Sequence, residues 1–145
     1  YVWRVLTIIL AITYPFFCVL IAGYKPSLSQ YWNTALQPVF ILSNILTAHY
    51  FIQIKNWRIS AIFLLLLTIF SINLYGNLHN IFAVCFFISA FIPLCKTKRF
   101  TYTFYIYLLG GCLMPFNLLV GEIITISTIG LYHFLLLTKL KKIKK

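Results

Sequence analysis

Six long apolar stretches follow one another along this chain, with only short polar links between them. They lie at Val5 to Gly23, Leu36 to Ile54, Ile59 to Tyr75, Ile81 to Cys95, Phe100 to Pro115 and Glu122 to Leu140. A transmembrane helix needs about 20 apolar residues, and a bilayer admits only helices or closed barrels. Because the stretches show no alternation of period two, they are predicted to be helices.

The composition agrees with a membrane protein. Of the 145 residues, 62% are hydrophobic and 9% are charged, whereas a soluble domain is about 25% charged. The sequence therefore predicts an all-α integral membrane protein. We expect a single polytopic transmembrane domain over residues 1–145, built as a six-transmembrane-helix bundle with short loops.

The basic residues predict the orientation of this bundle. Eleven of the twelve are Arg4, Lys55, Arg58, Lys96, Lys98, Arg99, Lys139, Lys141, Lys142, Lys144 and Lys145. With six spans, all eleven fall on one side and only Lys25 falls on the other, whereas five spans would scatter them. Both termini are therefore predicted to be cytoplasmic, with residues 139–145 as a basic tail on anionic lipid. Short clusters at helix ends do not indicate nucleic-acid binding.

This topology collects most of the distinctive polar residues at the outer face. Three outer links are expected: residues 24–35, a tight turn at Gly76–Asn80, and the link Phe116–Gly121. Together they bring five side chains to one face as a candidate ligand-binding pocket: Ser27, Ser29, Tyr31, His79 and Glu122. The sequence thus predicts an outer-face polar pocket.

Glu122, the only acidic residue of the chain, has two interpretations. It is either an interfacial charge favoured by the helix dipole or a buried acid paired with His79 or Lys25. His79 itself is expected to cap the fourth helix.

A Ser-His-acid set could be drawn from the pocket, but no nucleophile-elbow pattern accompanies the serines, and we do not expect catalysis. His49 and His133 are expected deep in the membrane nearer the cytoplasm, hydrogen-bonded to Ser or Thr of another helix. No metal and no cofactor are predicted, because a zinc site would need further ligands at suitable spacing.

Aromatic and small residues predict how the helices are placed. Trp3 and Trp57 are expected in the aromatic belt of the inner interface, and Trp32 in the outer belt. The pair Gly110-Gly111 predicts a helix contact or a kink in the fifth span.

Three short motifs carry a resemblance to a known family. They are "PSLSQY" from Pro26, "HNIFAVCFF" from His79, and "GEI" from Gly121. In this order they resemble the DRAM-like membrane family, which includes the post-GPI-attachment remodelling proteins. They are still more similar to small bacterial multi-pass proteins without an established reaction. The resemblance implies a six-helix fold, a bacterial inner membrane, and a link to lipid organisation or remodelling.

Two functions from different classes remain open at this point. The first is a lipid-interacting membrane protein whose outer-face pocket binds membrane lipids or assists a lipid-modifying partner. The second is a non-catalytic accessory subunit of a larger membrane complex, with partner subunits in the membrane. A pore would need a polar stripe along a helix, and little of one is visible.

Overall fold

The computed structural model describes residues 2–97 and 101–143, with side chains described up to Lys139. The predicted basic residues Lys98, Arg99, Lys144 and Lys145, and the side chains of Lys141 and Lys142, lie outside this description. The described part is all-helical and contains six α-helices, with no strand. They are Val2–Ala22 (α1), Gln37–Ile52 (α2), Arg58–Ile69 (α3), Ile72–Lys96 (α4), Thr101–Leu113 (α5) and Leu118–Ile143 (α6). The all-α prediction is confirmed.

Three of these helices are long and apolar enough to cross a membrane: Val2–Ala22, Ile72–Lys96, and the part Leu118–Lys139 of α6. The other three are shorter. α3 has 12 residues and α5 has 13, which at 1.5 Å per residue is about 18–20 Å. Length and composition therefore support membrane insertion of the chain.

The boundary between α3 and α4 differs from the prediction. The chain turns at Phe70 and Ser71, and α4 continues to Lys96 with one non-helical residue, Tyr75. The tight turn expected at Gly76–Asn80 is therefore wrong, and this segment is helical. Gly76 has no positive φ, and a Cβ there would meet nothing within 4 Å, so its backbone gives no reason for a turn.

The helices form a ring in which each packs against its neighbours along the chain, and α6 closes the ring against α1. The seam between α4 and α5 is the sparsest contact of the ring. Glycine permits the closest approach, between α5 and α6. A Cβ on Gly121 would lie 2.7 Å from the Gly110 carbonyl oxygen, so the backbones of these two helices touch.

The helix order divides the bundle into two ends. We call one the basic end, because it carries Arg4 and the α2–α3 link with Lys55; the Arg4 side chain donates to Gln53 Oε1 at 3.1 Å across this end. We call the other the cap end. It holds the α3–α4 turn, the α5–α6 link, and a 3₁₀ helix over Leu28–Asn33, which we call the cap.

Trp57 does not lie in an interfacial belt. Its side chain is 1% exposed and packs on the His133 ring, with 4.5 Å between ring centroids. The belt prediction fails for this residue because Trp57 ends a short 3₁₀ turn, Lys55–Trp57, that directs the indole into the bundle. Trp3, by contrast, is 48% exposed.

Candidate functional site

The cap begins with a reversal of the chain after α1. Gly23 has a φ of 72°, a left-handed conformation that favours glycine. The fully buried Tyr31 then donates its hydroxyl to the Gly23 carbonyl oxygen at 2.6 Å. Burial raises the pKa of Tyr31, which keeps this phenol protonated as a donor. Tyr31, a candidate ligand-binding residue, thus folds the cap back on its own start.

Ser27 precedes the cap directly. Its side chain is buried, and its carbonyl oxygen accepts the backbone N–H of Gln30 at 3.2 Å. The side chain makes no capping hydrogen bond to the 3₁₀ helix. Ser27 therefore initiates the turn through its backbone.

Glu122 ties the cap to α6. The carboxylate oxygen Oε2 accepts the backbone N–H of Leu28 at 2.7 Å, and the side chain is 7% exposed. The first alternative for Glu122, an exposed interfacial charge, is excluded by this burial. The second alternative had the acid paired with His79 or Lys25. The structure gives it a backbone amide instead, which no sequence pattern could indicate.

His79 ties the cap to α3 and α4. Its Nδ1 lies 2.8 Å from the Phe70 carbonyl oxygen, and its Nε2 lies 2.6 Å from Ser29 Oγ. A carbonyl oxygen can only accept, so Nδ1 carries the hydrogen. In the neutral ring Nε2 is then the acceptor, and the Ser29 hydroxyl donates to it. His79 does not cap the start of α4; it satisfies the end of α3.

A small cavity lies beneath this arrangement. Its volume is about 30 Å³, which is enough for about one or two water molecules. Four polar side chains line it, Tyr14, Ser29, Asn44 and Glu122, among apolar residues of α2, α3, α4 and α6. Sequence reasoning missed both Tyr14 and Asn44 as part of the site. The only available signal was a polar residue inside an apolar stretch.

The five candidate residues are therefore all at the cap end, and each is buried, with exposed fractions between 0% and 8%. Ser29, His79 and Glu122 meet around the cap, while Ser27 and Tyr31 shape it. Of the five, only Ser29 and Glu122 line the small cavity, which has room for about one or two water molecules. A lipid headgroup would need a larger and open site.

A much larger space opens on the outside of the bundle. This lateral groove has a volume of about 510 Å³. It is lined by Phe16 of α1, Ile106 of α5, and Val120, Ile123, Ile124, Ser127, Thr128 and Leu131 of α6. Nothing in the sequence pattern predicted it, because it depends on how far α1 and α5 stand apart over α6.

The other two histidines lie at the basic end. His133 is buried among aromatic rings, and its Nδ1 lies within hydrogen-bond distance of the Tyr50 hydroxyl, at 3.3 Å. His49 pairs with Gln53, just past the end of its own helix. Hydrogen bonding between helices is thus confirmed for His133, but its partner is Tyr50 and not the predicted Ser or Thr; for His49 the prediction is wrong. Across residues 2–97 and 101–143, no group of three or more His, Cys, Asp or Glu side chains could hold a metal ion.

Comparison with known proteins adds no relative to this picture. No protein-family model, no curated protein and no solved structure matches the chain. The resemblance to the DRAM-like family therefore stays a prediction, and the function must be argued from the molecule itself.

Proposed function

We propose that this chain is a six-span membrane protein with cytoplasmic termini, in a bacterial inner membrane, and that it binds membrane lipid in the lateral groove. The described basic residues support the orientation, because Arg4, Lys55, Arg58 and Lys96 all belong to the basic end. Among the described residues, the one basic residue of the cap end is Lys25. The short helices α3 and α5 are accommodated by local thinning of the bilayer or by flanking residues.

The length of the lateral groove along α6 is the main observation in support of lipid binding. Along α6 it runs from Val120 to Leu131, which is about 17 Å at 1.5 Å per residue. One leaflet of a hydrocarbon core of about 30 Å is about 15 Å deep. The groove starts near the cap end and ends near mid-bundle, so it matches one acyl chain of the outer leaflet.

The chemistry at the mouth of the groove fits a phospholipid. Tyr24 donates to Asn117 Oδ1 at 2.8 Å just above Val120, and Lys25 follows Tyr24 in the chain. A phosphate at this level would find a nearby cation, which attracts anionic headgroups by about 1 kcal/mol. The cap positions Lys25 and is itself held by the five candidate residues, Ser27, Ser29, Tyr31, His79 and Glu122. In this way the candidate residues contribute indirectly to lipid binding.

Lipid co-purification tests the proposal with a matched pair of variants. Val120→Trp places a large ring in the groove, whereas Val84→Trp places the same ring on the exposed outside of α4, where Val84 is 57% exposed. We expect native mass spectrometry to show phospholipid retained by the wild type and by Val84→Trp and lost from Val120→Trp. Equal retention in both variants would refute the groove as the binding site.

Topology is tested separately. In a cysteine-free background, Lys25→Cys should react with a membrane-impermeant maleimide added to intact cells. Lys55→Cys should react only after the cells are permeabilised. The reverse pattern would contradict the proposed orientation without touching the lipid result.

A second candidate function, an accessory subunit, is favoured by the seam between α4 and α5. An open groove of about 230 Å³ lies there, lined in part by Tyr107 and Gly111. A Cβ on Gly111 would meet nothing within 4 Å, and small residues allow a partner helix to approach closely. A stoichiometric partner in gentle purification from native membranes, lost in Gly111→Phe, would support this function.

A further inference from the structure

We infer that the cavity beneath the cap is a binding site for a monovalent metal cation, with Na⁺ as the fitting ion, formed by Tyr14, Asn44, Ser29 and Glu122. This inference concerns the interior of the bundle and does not rest on the lipid proposal.

The first argument is the state of Glu122. Its carboxylate is 7% exposed and its hydrogen bond comes from a neutral amide, Leu28 N–H. Removing a charge from water is costly even after relaxation, and a single hydrogen bond from an amide returns only part of that cost. A cation in the adjoining cavity would compensate the remaining charge. His79 does not pair with Glu122 within the described residues, because its two ring nitrogens bond to Ser29 and Phe70.

The second argument is independent and concerns neutral groups. Asn44 is 4% exposed and Tyr14 is 5% exposed, and both line the cavity. Neither side chain makes a hydrogen bond within residues 2–97 and 101–143. Buried polar groups normally have partners, so two such side chains facing one cavity point to a bound species between them.

The third argument is the type of ligand atom. Each of the four side chains offers oxygen: a phenol, an amide carbonyl, a hydroxyl and a carboxylate. The Ser29 hydroxyl uses one hydrogen bond for His79 Nε2, at 2.6 Å, and in either role it keeps a lone pair for another contact. Oxygen ligands suit hard cations, and a single carboxylate balances a single positive charge. A cavity of about 30 Å³ has room for one such ion without a full hydration shell.

Thermal unfolding of the purified protein in detergent tests the site. NaCl would be varied against choline chloride at constant ionic strength and pH 8. A ligand that binds only the folded state raises stability with the logarithm of its concentration above Kd. We expect the midpoint temperature of the wild type to rise by several degrees with Na⁺ and not with choline.

Three variants and one control complete the test. Glu122→Gln keeps the shape and removes the charge, so the Na⁺ response should vanish. Tyr14→Phe removes one oxygen and should shift the response to at least a few-fold higher Na⁺. Asn44→Leu should abolish it. Tyr50→Phe is the control: this buried tyrosine pairs with His133 at the basic end and does not line the cavity, so it should lower the midpoint but keep the response.

Two outcomes would overturn the inference. One is a wild-type midpoint that is the same in Na⁺ and choline, because the cavity would then hold a proton or water. The other is a Na⁺ response that persists in Glu122→Gln and Asn44→Leu. Neither outcome bears on lipid retention in Val120→Trp.

Discussion

The two hydrogen bonds of His79, to Phe70 O and Ser29 Oγ, give the sharpest test of the fold at the cap end, and we call them the His79 clamp. In His79→Ala the Phe70 carbonyl oxygen and the Ser29 hydroxyl both lose their partner, at 2.8 and 2.6 Å in the wild type. Leaving a buried polar group unpaired costs about 1–3 kcal/mol, and the imidazole is 2% exposed. Two such losses predict a decrease of about 2–6 kcal/mol in the free energy of unfolding.

His49→Ala is the matched control. His49 also makes a side-chain hydrogen bond, to Gln53, but it is exposed, so water replaces the partner and the change should stay within about 0.5 kcal/mol. Unfolding by SDS in mixed micelles would be followed by tryptophan fluorescence, and Trp32 of the cap reports on the affected region. If His79→Ala and His49→Ala differ by less than about 0.5 kcal/mol, the clamp contributes nothing and the reasoning fails.

Three further predictions use the same unfolding assay. Gly121→Ala should lower the free energy of unfolding by about 1–3 kcal/mol, because the added Cβ would lie 2.7 Å from a backbone oxygen of α5. Gly111→Ala should raise it by up to about 1 kcal/mol, because the site is open and alanine has the higher helix propensity. Equal effects of the two variants would contradict the packing of α5 on α6. Asn117→Ala should cost about 1 kcal/mol, since Asn117 Oδ1 accepts the Val120 N–H at 3.1 Å at the start of α6; an unchanged midpoint would count against this cap. The free energy of unfolding of His133→Phe should lie within about 1 kcal/mol of the wild-type value, because the ring packs among aromatic side chains. His133→Ala, which removes the ring, should lower it by about 3 kcal/mol or more. A severe loss of stability in His133→Phe would show that the hydrogen bond of His133 matters more than its packing.

The helical class and the number of helices followed from sequence because long apolar stretches have few alternatives in a bilayer. The boundary near Gly76 was missed because glycine and polar residues near His79 look like a turn. The polarity is instead satisfied by groups distant in sequence, such as Ser29, 50 residues away. Local patterns contain no information about such partners.

The candidate site, like the fold, could be predicted from the sequence only in part. Charge counting placed Ser29, His79 and Glu122 at one end, which is where the structure has them. Charge counting could not predict that these side chains are buried or which groups they bond to. A backbone amide such as Leu28 N–H has no sequence signature, because nearly every residue has one. Tyr14 and Asn44 required the packing of α1 against α2 and α6 to be known.

The bond between Leu28 and Glu122 also sets an order of events during synthesis. The two residues are 94 positions apart, and a ribosome adds about 5–20 residues each second. The cap segment therefore emerges about 5–20 s before its partner on α6 exists, with the amide of Leu28 still hydrated. The Leu28–Glu122 bond can form only after α6 has been synthesised, so a nascent chain stalled before α6 should leave Trp32 accessible to water-soluble quenchers.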